Sequence, residues 1–290
     1  MPLSSEVPEA LQQADFALSR MGTRAEDVAW SLLSNQLNVE QVTALKKQAG
    51  LAGDELAGDK VERLLLWHAT RQALPRVPSL PIEKSVRRRL DQDLRQLHTM
   101  NTSMVAGSYD FDRAAKIATL RRFPAGPMEW ELSGIPKTYF RQAAFPDNLR
   151  LLQFVISRLR GLAPCFFMHV APAPRNRSLS VPKEVLRSYY RMARSLQLQP
   201  GVRALLAHAW FHDPAAVRDS PHLAVLSEPY LHGGLITLLG QAASSSGVLA
   251  GNAQRSADYQ AGKLEYKYGF AVWPRDAAIR WADAHPEFEE

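Results

Sequence analysis

Between Cys165 and Pro182 the chain passes from an apolar run, Cys165-Phe166-Phe167-Met168-His169-Val170-Ala171, into the basic loop Ala173-Pro174-Arg175-Asn176-Arg177-Ser178-Leu179-Ser180, and then into Val181-Pro182. A buried strand, a polar loop and a proline-opened helix in that order form the first part of a strand–helix–strand unit, which a second apolar run at 202–211 completes. The pattern continues with a short helix after Pro214, an apolar run at Leu235–Leu239, a helix through about Gly262, a strand at 268–273 and a closing helix after Pro274. A helix over about 147–160 precedes it. Strands alternating with helices of these lengths predict an α/β (or α+β) fold: a mixed, largely parallel sheet flanked by helices.

The first third reads differently. Thr23-Arg24-Ala25-Glu26 fits a capping box ahead of an apolar stripe, and Asn38 with Gln41 and Asp59 with Glu62 repeat the signal. Pro75, Pro78 and Pro81 then crowd one short segment, which is expected to be a linker because closely spaced prolines disfavour both helix and ladder geometry. The expected division is a helical N-terminal subdomain over 1–78 and an α/β domain over 79–290. Helices are expected from Pro81 to about His98 and from Asp112 to Arg122. The alternation Met128-Glu129-Trp130-Glu131-Leu132 predicts a strand with Trp130 in the core and Glu129 on a solvated face.

With 46% hydrophobic and 22% charged residues, the composition is that of a folded globular chain. No apolar run approaches the roughly 20 residues that cross a bilayer, and Met1-Pro2-Leu3-Ser4-Ser5-Glu6 lacks the pattern of a signal peptide, so the expected location is the cytoplasm, with no membrane partner. The single cysteine, Cys165, lies in an apolar run and reads as a small core residue. A formal charge of +6 raises nucleic acid as a partner. The basic residues Lys84, Arg87, Arg88, Arg89 and Arg95 are interspersed with Glu83, Asp91 and Asp93, without the stacking aromatics of a polyanion-binding face, so a solvated helix is the preferred reading.

Ligands of open α/β sheets sit beyond the carboxyl ends of strands. There the sequence places His169 with Arg175, Arg177, Ser178 and Ser180, then His212 with Asp213, then Arg275. Ser180 and Asp213 also suit helix caps, and Arg275 suits a solvated first turn. His208 and His212 share a strand face and invite a metal reading with Asp213, but residues four apart on a regular strand stand too far apart to chelate one ion, and no metal ligand is assigned. Glu131, beside a Gly-Ile-Pro turn, is a candidate acid or base.

No Gly-x-Gly-x-x-Gly, Walker loop, His-Glu-x-x-His or Gly-x-Ser-x-Gly motif is present. Arg158-Leu159-Arg160-Gly161-Leu162-Ala163 satisfies the loose pyrophosphate-binding pattern of GNAT acyltransferases. In that family the pattern follows a strand and opens a helix, whereas here it closes a helix and precedes a strand, so the match is coincidental. The residues therefore predict a group-transfer enzyme, acyltransferase-like, acting on an anionic small molecule or cofactor-linked substrate. His169, His212 and Glu131 are its expected catalytic groups, with His169 and His212 meeting in one cleft. Arg175, Arg177, Ser178, Ser180, Asp213 and Arg275 are the expected binding residues, and the sequence identifies no cofactor. The alternatives are a non-catalytic or nucleic-acid-binding protein that uses the basic helix, and a metal-dependent enzyme with His and Asp ligands.

Overall fold

The computed structural model describes Leu66 and residues 69–100, 108–172, 179–242 and 265–290, together with Gln254, 257–258 and 261–263. The capping boxes of the first third lie outside these residues, as do most of the helix expected through Gly262 and the loop carrying Arg175, Arg177 and Ser178. The contacts divide the chain into two units, one of residues up to Leu80 with Arg87–Phe123, the other of Pro81–Val86 with Pro124–Glu290.

In the first unit the proline-rich segment is a 3-10 helix, Leu74–Ser79, with Val77 buried. Proline is compatible with it because its fixed φ is close to that of a 3-10 turn and so short a helix needs few N–H donors. Helix α1 (Lys84–Met100) follows, burying Leu90 and Leu94. Of its basic side chains, Arg95 pairs with Asp91 at 2.7 Å and Arg87 donates to the Pro78 carbonyl at 3.0 Å. Helix α2 (Tyr109–Ala118) is capped by Ser108, whose hydroxyl accepts the Phe111 N–H. It ends earlier than the expected Arg122. Leu120 takes a left-handed conformation (φ 57°), and the bonds Arg121 N–H to Lys116 O and Leu120 N–H to Ile117 O close a Schellman-type cap.

Strand β1 (Arg122–Pro124) leads into β2 (Met128–Ser133), β3 (Cys165–Val170), β4 (Ala204–Ala209), β5 (Leu235–Ala242) and β6 (Lys267–Pro274), which form one sheet in the order β1-β2-β3-β4-β6-β5. The α/β class holds and the sheet is mixed. Its parallel share is smaller than the alternation of elements predicts: β3 runs parallel to β4, while β2–β3, β4–β6 and β5–β6 are antiparallel. Alternation along the chain sets the sequence of elements. It does not set the direction in which a strand enters the sheet, and β6 enters reversed. β2 is an interior strand of the sheet, and Glu129, expected on a solvated face, is fully buried.

Side-chain alternation gives the sheet two faces. One carries Cys165, Leu206, Phe270 and Val272 and packs on the short helices α3 (Tyr139–Gln142) and α4 (Asp147–Phe154), the latter continued by a π turn at Val155–Leu159. The other carries Trp130, Phe166 and Trp273 and packs on α5 (Pro182–Gln197) and α7 (Arg275–Ala284). Cys165 is a core residue, its thiol pushed up to about 11 by burial. Among the described residues no helix is long and apolar enough to cross a membrane.

Candidate active site

The β2–β3 and β4–β6 ladders each extend over six residue pairs, but β3 and β4 pair only at Phe166 with Leu205 and Phe167 with Leu206. Continuing that register by two residues would set His169 beside His208. The ladder stops first, so Met168–Val170 and Ala207–Ala209 face each other without ladder pairing at the carboxyl ends of the two parallel strands. Val170, His208 and Ala209 are only half-buried, as expected of residues lining a wedge that opens outward.

On the α3 side of this wedge the structure brings together two of the sequence candidates. Glu129 stands directly opposite His169 in the β2–β3 register and Glu131 opposite Phe167, so Glu131 reaches His169 diagonally. The separation from His169 Nε2 to Glu131 Oε1 is 3.3 Å, and both side chains are about three-quarters buried, at 25% and 22% exposure. The contact has ion-pair distance without hydrogen-bond geometry at Nε2. A carboxylate on that side of the ring still favours the proton at Nε2 and leaves the Nδ1 lone pair available as a base.

His208, which sequence reasoning considered only as a metal ligand, belongs to the same face. Its ring lies between Tyr139 and Tyr268, with centroids 4.9 and 4.6 Å away, and its buried Nε2 has no hydrogen-bond partner among the described residues. Burial pushes its pKa below the ordinary imidazole value, which favours the neutral form at pH 7. Its alternation with Leu206 was the signal available in the sequence.

His212 does not join them. The strand ends at Ala209, and the 3-10 turn Trp210–His212 carries the side chain to the opposite layer. There it is 3% exposed, its ring 5.4 Å from that of Tyr230, and Nδ1 lies 2.8 Å from the Ser227 hydroxyl. The shared cleft expected for His169 and His212 is thus replaced by placement in separate surroundings on the two sides of the sheet. Strand alternation cannot foresee this, because it stops applying where the backbone coils. The packing also accounts for Gly269: a Cβ built there would stand 2.5 Å from His212 Cβ and within 3.3 Å of His212 backbone atoms. Gly269→Ala is expected to lower stability by about 1–3 kcal/mol, the usual cost of overpacking a core, measured by denaturant titration.

The remaining described candidates are occupied structurally. Asp213 caps helix α6 (Pro214–Asp219) by accepting the Ala215 N–H at 2.8 Å and accepts the Lys267 N–H at 2.7 Å with its other oxygen. Arg275 is not a solvated first-turn residue. It donates from Nε to Leu196 O and from Nη2 to Gln197 O, each at 3.2 Å, and so caps the C-terminus of α5. Ser180 is exposed, and the residue capping α5 is Val181, without a side-chain bond. Among the described residues no group of three or more His, Cys, Asp or Glu side chains can hold a metal ion.

No protein-family model matches the chain, and no curated protein matches it in sequence. Among solved structures it is similar to an acyltransferase in complex with decanoyl-CoA, at 14% identity and a TM-score of 0.45. The match covers 73% of this chain and 65% of that one. It is also similar to an acyltransferase in complex with decanoyl-CoA and teicoplanin, at 16% identity and a TM-score of 0.41, with the same coverage. The chain thus spans less than two thirds of those proteins. Likeness at this distance carries no argument about activity.

Proposed function

We propose that the chain is a group-transfer enzyme of the acyl-transfer class. The single observation that carries this reading is the arrest of the β3–β4 ladder at Phe167 and Leu206, beside the His169–Glu131 pair. Backbone edges left without ladder partners on two parallel strands suit an extended, amide-bearing ligand arm, which adds between them as an extra strand would. His169 then takes the proton of an acceptor nucleophile at Nδ1 as that nucleophile attacks the acyl carbonyl, and the imidazolium returns this proton to the carrier as the bond between carrier and acyl group breaks. Glu131 is a positioning residue that fixes the imidazole tautomer. The loop after β3, with Arg175, Arg177, Ser178 and Ser180, is assigned the grip on the anionic end of the carrier. His212, Asp213 and Arg275 have no part in this reaction.

Coenzyme A thioesters are the direct probe, because they combine an amide-bearing arm, an acyl group and a polyanionic end. Calorimetric titration with coenzyme A is expected to give saturable binding. An acyl-coenzyme A series incubated with a panel of amines and alcohols is expected to release free thiol in an enzyme-dependent way. Absence of both binding and thiol release across the series would remove the reading.

A further inference from the structure

At the other end of the sheet, where β3 and β4 begin, a cavity of about 650 Å³ opens in the wall formed by the π turn, the Pro200–Arg203 connection and the start of α7. Arg158, Arg160, Arg203 and Arg275 line it together with one carboxylate, Asp276. We infer that this cavity is an oligophosphate-binding site, distinct from the wedge and taking a diphosphate group on the four arginines.

Two of the guanidiniums are fixed before any ligand arrives. Arg203 donates from Nε to Ala163 O at 3.0 Å and from Nη1 to Leu159 O at 2.8 Å, leaving Nη2 without a bond among the described residues. Arg275 spends Nε and Nη2 on the last carbonyls of α5, leaving Nη1. Side chains pinned in this way lose little further freedom on binding an anion. Gly161 lets Arg203 lie against the backbone: at φ +157° its missing Cβ would stand 3.2 Å from the guanidinium carbon.

The charge in the wall is not balanced. Asp276 Oδ2 is already shared between Arg158, at 3.2 Å, and Arg280, at 2.9 Å, and the Arg160 side chain makes no hydrogen bond or ion pair among the described residues. The helix-end carbonyls that Arg203 and Arg275 cap offset only a fraction of a charge each. Arg160 is also held in the left-handed region (φ 55°) directly after a π turn, and both are features that non-glycine chains tend to show at functional positions. Among the described residues no aromatic ring lines the cavity to stack on a base, and its four guanidiniums make charge the main selector of the ligand. Guanidinium forks match phosphate oxygens. Orthophosphate is small for the cavity, whereas a diphosphate engages several guanidiniums at once.

The test is calorimetric titration of the full chain with inorganic pyrophosphate at fixed ionic strength. Wild type is expected to bind saturably, and the double variant Arg158→Gln/Arg160→Gln to bind at least about tenfold more weakly, since contacts to charged groups are individually worth that much or more. The charge-matched control Arg150→Gln/Arg218→Gln, at two exposed arginines that do not line the cavity and have no part in the proposed transfer reaction, is expected to keep wild-type affinity for pyrophosphate. No saturable binding by wild type, equal binding by Arg158→Gln/Arg160→Gln, or loss confined to the control would each overturn the inference. Failure of the acyl-transfer reading leaves these outcomes unchanged. An ADP titration identifies the source: affinity equal to that of pyrophosphate supports a phosphate ester, and selective binding of pyrophosphate supports the free anion.

Discussion

His169→Gln is expected to lower the rate of acyl transfer by about 10²- to 10⁴-fold, the usual contribution of a positioned general base. The glutamine keeps a polar group of similar length on β3 but cannot accept and release a proton at the position of Nδ1. Because His169 lies at the open end of its strand and glutamine is close to it in size and polarity, the substitution is expected to leave the thermal midpoint nearly unchanged. Glu131→Gln separates orientation from catalysis. It removes the charge 3.3 Å from Nε2 while preserving shape, so kcat is expected to fall by less than in His169→Gln while KM stays nearly unchanged. Equal activity in wild type and His169→Gln would exclude the base, and loss of folding in place of activity would return the residue to a packing role.

Below about pH 6.5 the folded protein is expected to lose stability steeply through His212. Burial lowers its folded-state pKa to about 3, with His208 nearby adding to the effect. The unfolded chain, with an ordinary imidazole pKa near 6.5, therefore takes up a proton at pH values where the folded chain does not. The stability linked to this group is complete above about pH 6.5 and falls as pH drops from there toward about 3. The slope is about 1.4 kcal/mol per pH unit, which amounts to about 3 kcal/mol at pH 4. His208, also lowered by burial, acts in the same direction. His212→Asn offers an amide to the Ser227 hydroxyl and has no titrating group. Urea unfolding between pH 4 and 7 is expected to show a flatter acid limb in this variant than in wild type. Parallel acid limbs in the two proteins would show that His212 is not the group responsible.

Much of the local structure follows from short-range chemistry visible in the chain. The apolar runs at 165–171, 202–211 and 268–273 become strands because each offers a continuous or alternating face that must be buried. Trp130 and Cys165 are core residues as their neighbours imply. Asp213-Pro214 caps a helix because a carboxylate followed by a residue with no N–H is already suited to a first turn. The proximity of His169 and Glu131 was less legible: each stood out as a polar group at a strand end, but nothing in the intervening residues states that β2 and β3 are antiparallel neighbours.

What only the tertiary structure decided is which strands meet, in which direction and for how far. Periodicity fixes the side of a strand on which a residue stands, since that depends on two backbone angles per residue. Pairing joins residues far apart in sequence and depends on the summed packing of both layers. The reversed entry of β6, the burial of Glu129, and the early end of the β3–β4 ladder all arise at that level. So does the fate of His212, which alternation assigns to the face of His208 and which the 3-10 turn after Ala209 carries to the other side. The arginine-lined cavity is the extreme case. Arg158, Arg160, Arg203 and Arg275 come from three separate stretches of chain, and they converge only because the starts of β3, β4 and α7 share one end of the sheet.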